Sequence, residues 1–163
     1  MAEDDPDGAG DRPGRALLEA GGRRVEISNP GKVLFPDDGI TKRDLAQYWA
    51  KIAEIALPHY RGRPLTLERY PDGIGEAGFF QKNAPGRFPD WIARLTLEKE
   101  GGTVTHVIAN EAATLVYLAD QGCITPHLAL ARATTPHHPD RLVFDLDPDR
   151  KSTRLNSSHV CSS

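Results

Sequence analysis

The sequence has little of what marks several large classes of protein. Its 163 residues include only two cysteines, Cys123 and Cys161, which are too far apart to suggest a disulfide scaffold. No apolar run approaches the roughly 18 residues of a membrane-spanning helix, and the N-terminus has no apolar segment of the signal-peptide type. These absences predict a protein of the reducing cytoplasm that does not enter a membrane.

A strong excess of positive charge is also missing. The formal net charge is −3, and charged residues of both signs make up 26% of the chain. Such a chain is not a globally basic nucleic-acid binder, so any contact with nucleic acid must come from local patches. The length allows one modest domain with a real core.

An alternating stretch near the end of the chain stands out against this background. Apolar and polar side chains alternate over residues 141–147, which predicts a β-strand with Asp145 and Asp147 on one face and Pro148 at its end. The Cα atoms of two such residues lie roughly 6–7 Å apart, so both carboxylates are close enough to ligate divalent cations between them. Hard oxygen ligands favour Mg²⁺ or Mn²⁺. A strand with a solvated acidic face would have the same sequence.

Composition divides the chain into three parts. Residues 1–22 are acidic and rich in glycine and proline, which predicts a disordered leader or linker. Residues 23–150 predict an α+β fold, a mainly antiparallel sheet with helices at residues 42–57 and 111–121 packed on it. Residues 151–163 are polar, serine-rich and without periodicity, which predicts an unstructured and foreign tail.

The first predicted helix begins with a capping signal. Thr41 is the expected cap, Asp44 completes a capping box, and Pro58 is expected to end the helix. Lys42 then lies in the first turn, where its charge opposes the helix dipole unless an anion such as phosphate binds there. A solvent-exposed lysine is the simpler interpretation. Asn110 is the expected cap of the second helix.

Residues 73–78 match the dinucleotide-binding pattern G-x-G-x-x-G, but a turn precedes them and a strand follows, so that function is not expected. In the following strand, Phe79 and Phe80 face opposite ways. One is expected in the core, and the other, beside Lys82 and Arg87, would stack on a base. The alternative is a pair of core aromatics.

Zinc is a further possibility that the sequence disfavours. Cys123, His127, His137 and His138 could in principle ligate it. No second cysteine pair supports such a site, and two of the histidines lie in a proline-bounded loop.

Taken together, the motifs resemble the polymerase domain of bacterial DNA ligase D, in the archaeo-eukaryotic primase superfamily, over residues 25–149. The pieces occur in the family's order: NPGKVLFP (29–36), GITKRDL (39–45), GRPLTLERYPDG (62–73), GFFQK (78–82), ATLVYLA (113–119), CITPH (123–127) and DRLVFDLDP (140–148). Each piece is weak alone, whereas the ordered set is specific.

The resemblance implies catalytic and end-binding roles. Asp145 and Asp147 match the first two metal-binding carboxylates of a nucleotidyl transferase that uses two Mn²⁺ or Mg²⁺ ions. Lys32 and Lys42 match a pair that grips the 5′-phosphate of the downstream strand. The family's third catalytic carboxylate lies on a later strand, so an incomplete and inactive fragment is the expectation.

The resemblance also implies a nucleotide-binding region. Phe79 and Phe80 match aromatics beside the nucleotide and template, and His127 matches a histidine of the triphosphate site. Arg69 and Lys82 lie in family motifs without firm roles.

The function implied is nucleotide addition at double-strand breaks during non-homologous end joining. Ribonucleoside triphosphates, with deoxynucleotides as the alternative, would be substrates. DNA ends with a 5′-phosphate, the ligase and nuclease domains of a parent protein, and a Ku-type end-binding protein would be partners in a bacterial cytoplasm. Two alternatives remain: a non-catalytic module that binds 5′-phosphorylated ends, and a haloacid-dehalogenase-type phosphatase, whose motif also contains Asp-x-Asp.

Overall fold

The computed structural model describes residues 14–144 and residue 146. This part of the chain contains two helices, α1 (Lys42–Tyr60) and α2 (Ala112–Asp120). Its nine strands are β1 (Arg15–Ala20), β2 (Arg23–Ser28), β3 (Val33–Phe35), β4 (Ile40–Thr41), β5 (Pro64–Arg69), β6 (Phe79–Gln81), β7 (Ala93–Lys99), β8 (Gly102–Ile108) and β9 (Cys123–Leu128). The strands pair antiparallel, which confirms the predicted α+β fold.

Helix α2 lies at the centre of the core. Its side chains are buried along the whole helix except at the half-buried Tyr117. A helix that is apolar on every side is stable only when it is covered all round. Helix α1, the β1–β2 hairpin and β9 supply this cover, and the rings of Phe88 and Trp91 pack edge-on against Tyr117.

The first strand corrects the prediction that residues 1–22 form a leader or linker. Residues 15–20 pair with β2 along their full length, around a turn at Gly21 and Gly22. Ala16 and Ala20 are buried against the core, so this short segment has an inner face. Residues 1–13 lie outside the described part of the chain.

Helix α1 begins as predicted and ends later. Thr41 accepts the backbone N–H of Asp44, and the Asp44 carboxylate accepts the Thr41 backbone N–H, which confirms the capping box. Pro58 does not end the helix, which continues to Tyr60, because a proline near the end removes a single hydrogen bond while keeping helical φ. Neither helix of the described residues is long and apolar enough to cross a membrane.

Asn110 is not the cap of α2, contrary to the prediction. Glu111 occupies the N-cap position without a side-chain cap, while the Asn110 carboxamide oxygen accepts the Gly62 N–H at 2.9 Å. Asn110 therefore ties the start of α2 to the turn after α1.

Strand β5 organises the main sheet. It pairs with β9 along one edge. Along its other edge it pairs with β8 at residues 64–65 and with β6 at residues 67–69. Leu65 and Leu67 point into the core, and Glu68 points to the opposite face. Cys123 at the start of β9 is fully buried, and burial raises the pKa of its thiol to about 12.

A buried arginine anchors the loop after β9. Arg63 is 1% exposed, and its guanidinium donates to the carbonyl oxygens of Ala129 and Leu130 and to the Asp140 carboxylate, at 2.7–3.2 Å. The backbone N–H of Asp140 also donates to the Leu130 carbonyl, so the two ends of the loop meet. This contact fixes where the segment carrying the two candidate catalytic aspartates begins.

That segment departs from the predicted strand. Residues 141–144 and 146 have no strand partner in the described part of the chain, and Leu142, Phe144 and Leu146 are exposed. Alternation supplies one apolar face, but a strand also needs a neighbour to accept its backbone hydrogen bonds.

The Asp140 contact should make stability depend on pH. The Arg63 guanidinium, with a smaller effect of Arg132, holds the pKa of Asp140 below its usual range. This stabilisation is present above the ordinary aspartate pKa of about 3.9 and is lost as pH falls through the lower folded value. We expect Asp140→Asn to lower the melting temperature at pH 7, and the deficit to shrink in acid. Asp38→Asn, in an exposed turn, is the control, and an equal deficit at pH 7 and pH 2.5 would contradict the assignment.

Candidate functional site

Lys42 is buried, not exposed. Its ammonium lies 3.2 Å from the Ser28 hydroxyl and 3.5 Å from a carboxylate oxygen of Asp120, and the residue is only 7% exposed. The simpler interpretation, a solvent-exposed lysine, is therefore wrong. The contact joins α1 to β2 and to the end of α2.

The start of α1 does not offer free backbone donors to an anion. The N–H groups of Lys42 and Arg43 donate to the carbonyls of Lys32 and Pro30, at 2.8 and 3.0 Å. The N–H of Asp44 donates to Thr41, and the Asp44 carboxylate places a negative charge at the same point. The expectation that backbone N–H groups of this helix N-terminus bind a phosphate is therefore wrong. A phosphate at this position could be bound only by side chains.

Lys32 is the more accessible of the two candidate lysines. Its ammonium lies 2.6 Å from the Asp72 carboxylate, with the lysine side chain 36% exposed and that of Asp72 73% exposed. Such an exposed pair is weak, because water and salt screen it. Each of the two lysines thus has a carboxylate partner, one buried and one exposed.

A second group of side chains lies on the outer face of β5, β6 and β9. The Glu68 carboxylate accepts hydrogen bonds from His127 Nε2 at 2.9 Å and from the Tyr70 hydroxyl at 2.8 Å. These bonds hold the pKa of Glu68 below its usual range, and the bond to Glu68 raises the pKa of Tyr70. The Phe80 ring lies 5.5 Å from the His127 ring, with 65% of the residue exposed.

Neither phenylalanine is in the core, so the expectation that one or both are buried is wrong. Phe79 is 46% exposed at the margin of the inner face, where the Arg69 guanidinium covers its ring at 5.4 Å. Arg69 is itself buried, and donates to the Gln121 carbonyl and the Gln81 carboxamide. Lys82 is exposed and has no hydrogen-bond partner within residues 14–144.

Asp145 and Asp147 lie outside the described residues. Within the described part, no three histidine, cysteine, aspartate or glutamate side chains come together so that they could hold a metal ion. The assignment of these two aspartates therefore stays a prediction.

Sequence reasoning missed Asp120 and Glu68, the carboxylates that bind Lys42 and His127. Asp120 is the only charge in the apolar helix α2, and a lone carboxylate in such a helix was a signal that it needs a buried partner. Glu68 alternates with buried residues on β5, which predicts its outward face but not its contact. Its partner His127 lies 59 residues away, and only the pairing of β5 with β9 brings the two together.

Comparison with known proteins decides the family. A model described as "LigD, primase-polymerase domain" matches residues 41–161. This chain belongs to that family. The matched range includes residues 151–161, most of the segment that composition predicts to be a foreign tail.

LigD relatives agree with this assignment. The multifunctional non-homologous end joining DNA repair protein LigD of Mycobacterium tuberculosis is 37% identical over 134 residues, which cover 77% of this chain and 18% of that protein. The LigD of Pseudomonas aeruginosa is 36% identical over 125 residues, with coverages of 77% and 15%. That of Bacillus subtilis is 29% identical over 132 residues, with coverages of 81% and 21%. The chain thus spans about a fifth of the length of these LigD proteins.

A solved LigD domain has the same fold. The polymerase domain from Mycobacterium tuberculosis ligase D, solved in complex with DNA, superposes with a TM-score of 0.65 at 38% sequence identity. The match covers 67% of this chain and 38% of the solved one.

The contact between Glu68 and His127 predicts a measurable titration. We expect His127→Ala to raise the pKa of Glu68 toward its usual value, since the hydrogen bond with the largest effect is lost, and Tyr70→Phe to raise it less. Carbon-13 NMR of the glutamate carboxyl groups would measure both changes. His106→Ala is the matched control, because His106 lies on β8 beside the Leu65 carbonyl and should leave Glu68 unchanged. An unaltered pKa in His127→Ala would show that the contact does not form.

Proposed function

We propose that this chain contributes to a metal-dependent nucleotidyl transferase that adds nucleotides to DNA ends during non-homologous end joining. Membership of the LigD primase-polymerase family carries the proposal. The LigD relatives are named for non-homologous end joining, and the solved relative was captured with DNA. The haloacid-dehalogenase alternative is not carried forward, because nothing beyond Asp-x-Asp supports it.

The catalytic carboxylates would be Asp145 and Asp147. Their chemistry fits the proposed cofactor, because two hard oxygen donors on alternate residues suit Mg²⁺ or Mn²⁺. Bound there, a pair of divalent ions would lower the pKa of the primer hydroxyl and neutralise the triphosphate. Arg63 would assist by fixing the loop that ends at Asp140, five residues before Asp145.

The outer face of β5, β6 and β9 would bind the incoming ribonucleotide and the template base. An exposed aromatic ring such as Phe80 offers a stacking surface, worth about 1–3 kcal/mol per base. The bond from Nε2 to Glu68 orients the His127 ring, and in the doubly protonated ring the other nitrogen would donate to a phosphate. Arg69 holds Phe79 in place, and Lys82 adds an exposed positive charge beside these rings.

Lys32 and Lys42 would bind the 5′-phosphate of the downstream strand through their side chains. The ligase and nuclease domains of a parent protein and a Ku-type end-binding protein would be the other partners. A non-catalytic end-binding module is the second candidate function, because both lysines lie in the well-packed part of the fold, ahead of the Asp-x-Asp segment.

Primer extension tests the catalytic proposal. We expect no extension by this chain alone, because it covers 38% of the solved domain and a misplacement of about 1 Å can cost a hundredfold in rate. The same chain continued to the length of the solved domain should extend a gapped primer with Mn²⁺ and ribonucleotides.

Asp145→Ala in the longer version should abolish this extension, whereas Asp38→Ala, in an exposed turn, should not. Full activity of the longer Asp145→Ala protein would contradict a catalytic role for Asp145. Extension by the short chain would show that the site is complete without the additional length.

Binding to DNA ends tests the second candidate. Lys42→Ala should weaken binding to gapped DNA with a 5′-phosphate by roughly 1.5–3 kcal/mol, the value of one charge-assisted hydrogen bond, and hardly alter binding to the 5′-hydroxyl form. Fluorescence anisotropy at low and high salt would measure both, with Lys51→Ala on the exposed side of α1 as the control. An equal loss of affinity for the two DNA forms would mean that Lys42 is a general backbone contact.

A further inference from the structure

The buried ion pair of Lys42 has an asymmetric geometry. Both side chains are below 10% exposed, yet the distance from the Lys42 ammonium to the Asp120 carboxylate is 3.5 Å, at the long end for an ion pair. The same Asp120 oxygen accepts the backbone N–H of Ser28 at 2.7 Å and the Ser28 hydroxyl at 2.9 Å. The longest of these three contacts is therefore the one to Lys42.

Asp120 does not depend on Lys42 for its hydrogen bonds. Its second oxygen accepts the Gln121 carboxamide at 3.0 Å. If the lysine moved away, the carboxylate would retain three donors, two from Ser28 and one from Gln121. Lys42 would retain none of the partners described for its ammonium, so it could leave only toward another anion.

We propose that Asp120 is a selectivity residue, an internal competitor that holds Lys42 until a terminal phosphate displaces it. The inference rests on the proposed binding of 5′-phosphorylated ends. A phosphate monoester carries about −1.5 to −2 charges near neutral pH. An internal phosphodiester carries one charge, the same as Asp120, and gains nothing over it by Coulombic attraction. Lys42 therefore binds the terminal phosphate of a DNA strand and does not bind the internal phosphates of the DNA backbone.

Lys32 makes a useful contrast. Its counter-ion Asp72 is largely exposed, so solvent already screens the pair and any DNA phosphate can replace the carboxylate. The buried Lys42–Asp120 pair therefore provides selectivity for the DNA end, and the exposed Lys32–Asp72 pair provides general attraction to DNA.

The test is a ratio of affinities, measured on this chain with gapped DNA that bears either a 5′-phosphate or a 5′-hydroxyl. We expect Asp120→Asn to strengthen binding of the hydroxyl form, so that the preference for the phosphate form falls about three- to fivefold. Asparagine keeps an oxygen for Ser28 and changes the shape little. Asp72→Asn is the matched control and should strengthen both forms alike. Thermal unfolding of each variant checks that it is folded.

A second variant keeps the test decisive. In a Lys42→Met background, Asp120→Asn should no longer change the ratio, because the group for which the two anions compete is absent. If Asp120 were merely structural, its substitution would leave the ratio as it is in wild type, and the proposal would be overturned.

The outcomes separate this inference from the proposed function. A wild-type chain that binds both DNA forms equally would contradict end binding itself. A wild-type preference that Asp120→Asn leaves intact would overturn only the role of Asp120. Inorganic phosphate is the third ligand. If it binds as tightly as the 5′-phosphorylated DNA, the site recognises free phosphate and the proposal is overturned.

Discussion

The complete burial of helix α2 is the constraint on which the rest of the structure depends. A helix with apolar side chains on every side can exist in water only if other elements enclose it. The β1–β2 hairpin, α1 and the sheet do so from different directions, which explains why a segment as short as residues 15–20 is ordered as a strand. The N-terminal hairpin is therefore part of the core and not an appendage to it.

Enclosure of α2 also determines the electrostatics of the candidate site. Asp120 ends this helix, and its carboxylate is too deeply placed to be solvated by bulk water. Strand β2 and helix α1 both send donors to it, and the donor from α1 is the lysine that family resemblance associates with DNA ends. The same carboxylate therefore belongs both to the packed core and to the proposed DNA-binding site.

Local patterns predicted the elements well, and the failures have physical causes. The capping box of α1 depends on near neighbours, so the sequence contains it. The partners of Glu68, Lys42 and Arg63 lie 59, 78 and 77 residues away, and no local rule reports them. The exposure of Phe80 likewise depends on which strands flank β6.

The G-x-G-x-x-G motif at residues 73–78 also shows that a sequence pattern alone does not reveal its three-dimensional contacts. A Cβ at Gly78 would collide with the ring of Tyr70, whose hydroxyl bonds to Glu68. This glycine makes room for a tyrosine and not for a pyrophosphate, which the letters alone could not distinguish.

The burial of Cys123 has a consequence for how the molecule opens. With a thiol pKa near 12, almost no thiolate exists at neutral pH, and no reagent reaches the sulfur while β9 stays packed beneath α2. Chemical modification at this position therefore requires the sheet to separate from the helix. The rate of that modification measures how often the core opens, so the buried thiol serves as a natural reporter of the large fluctuations of the fold.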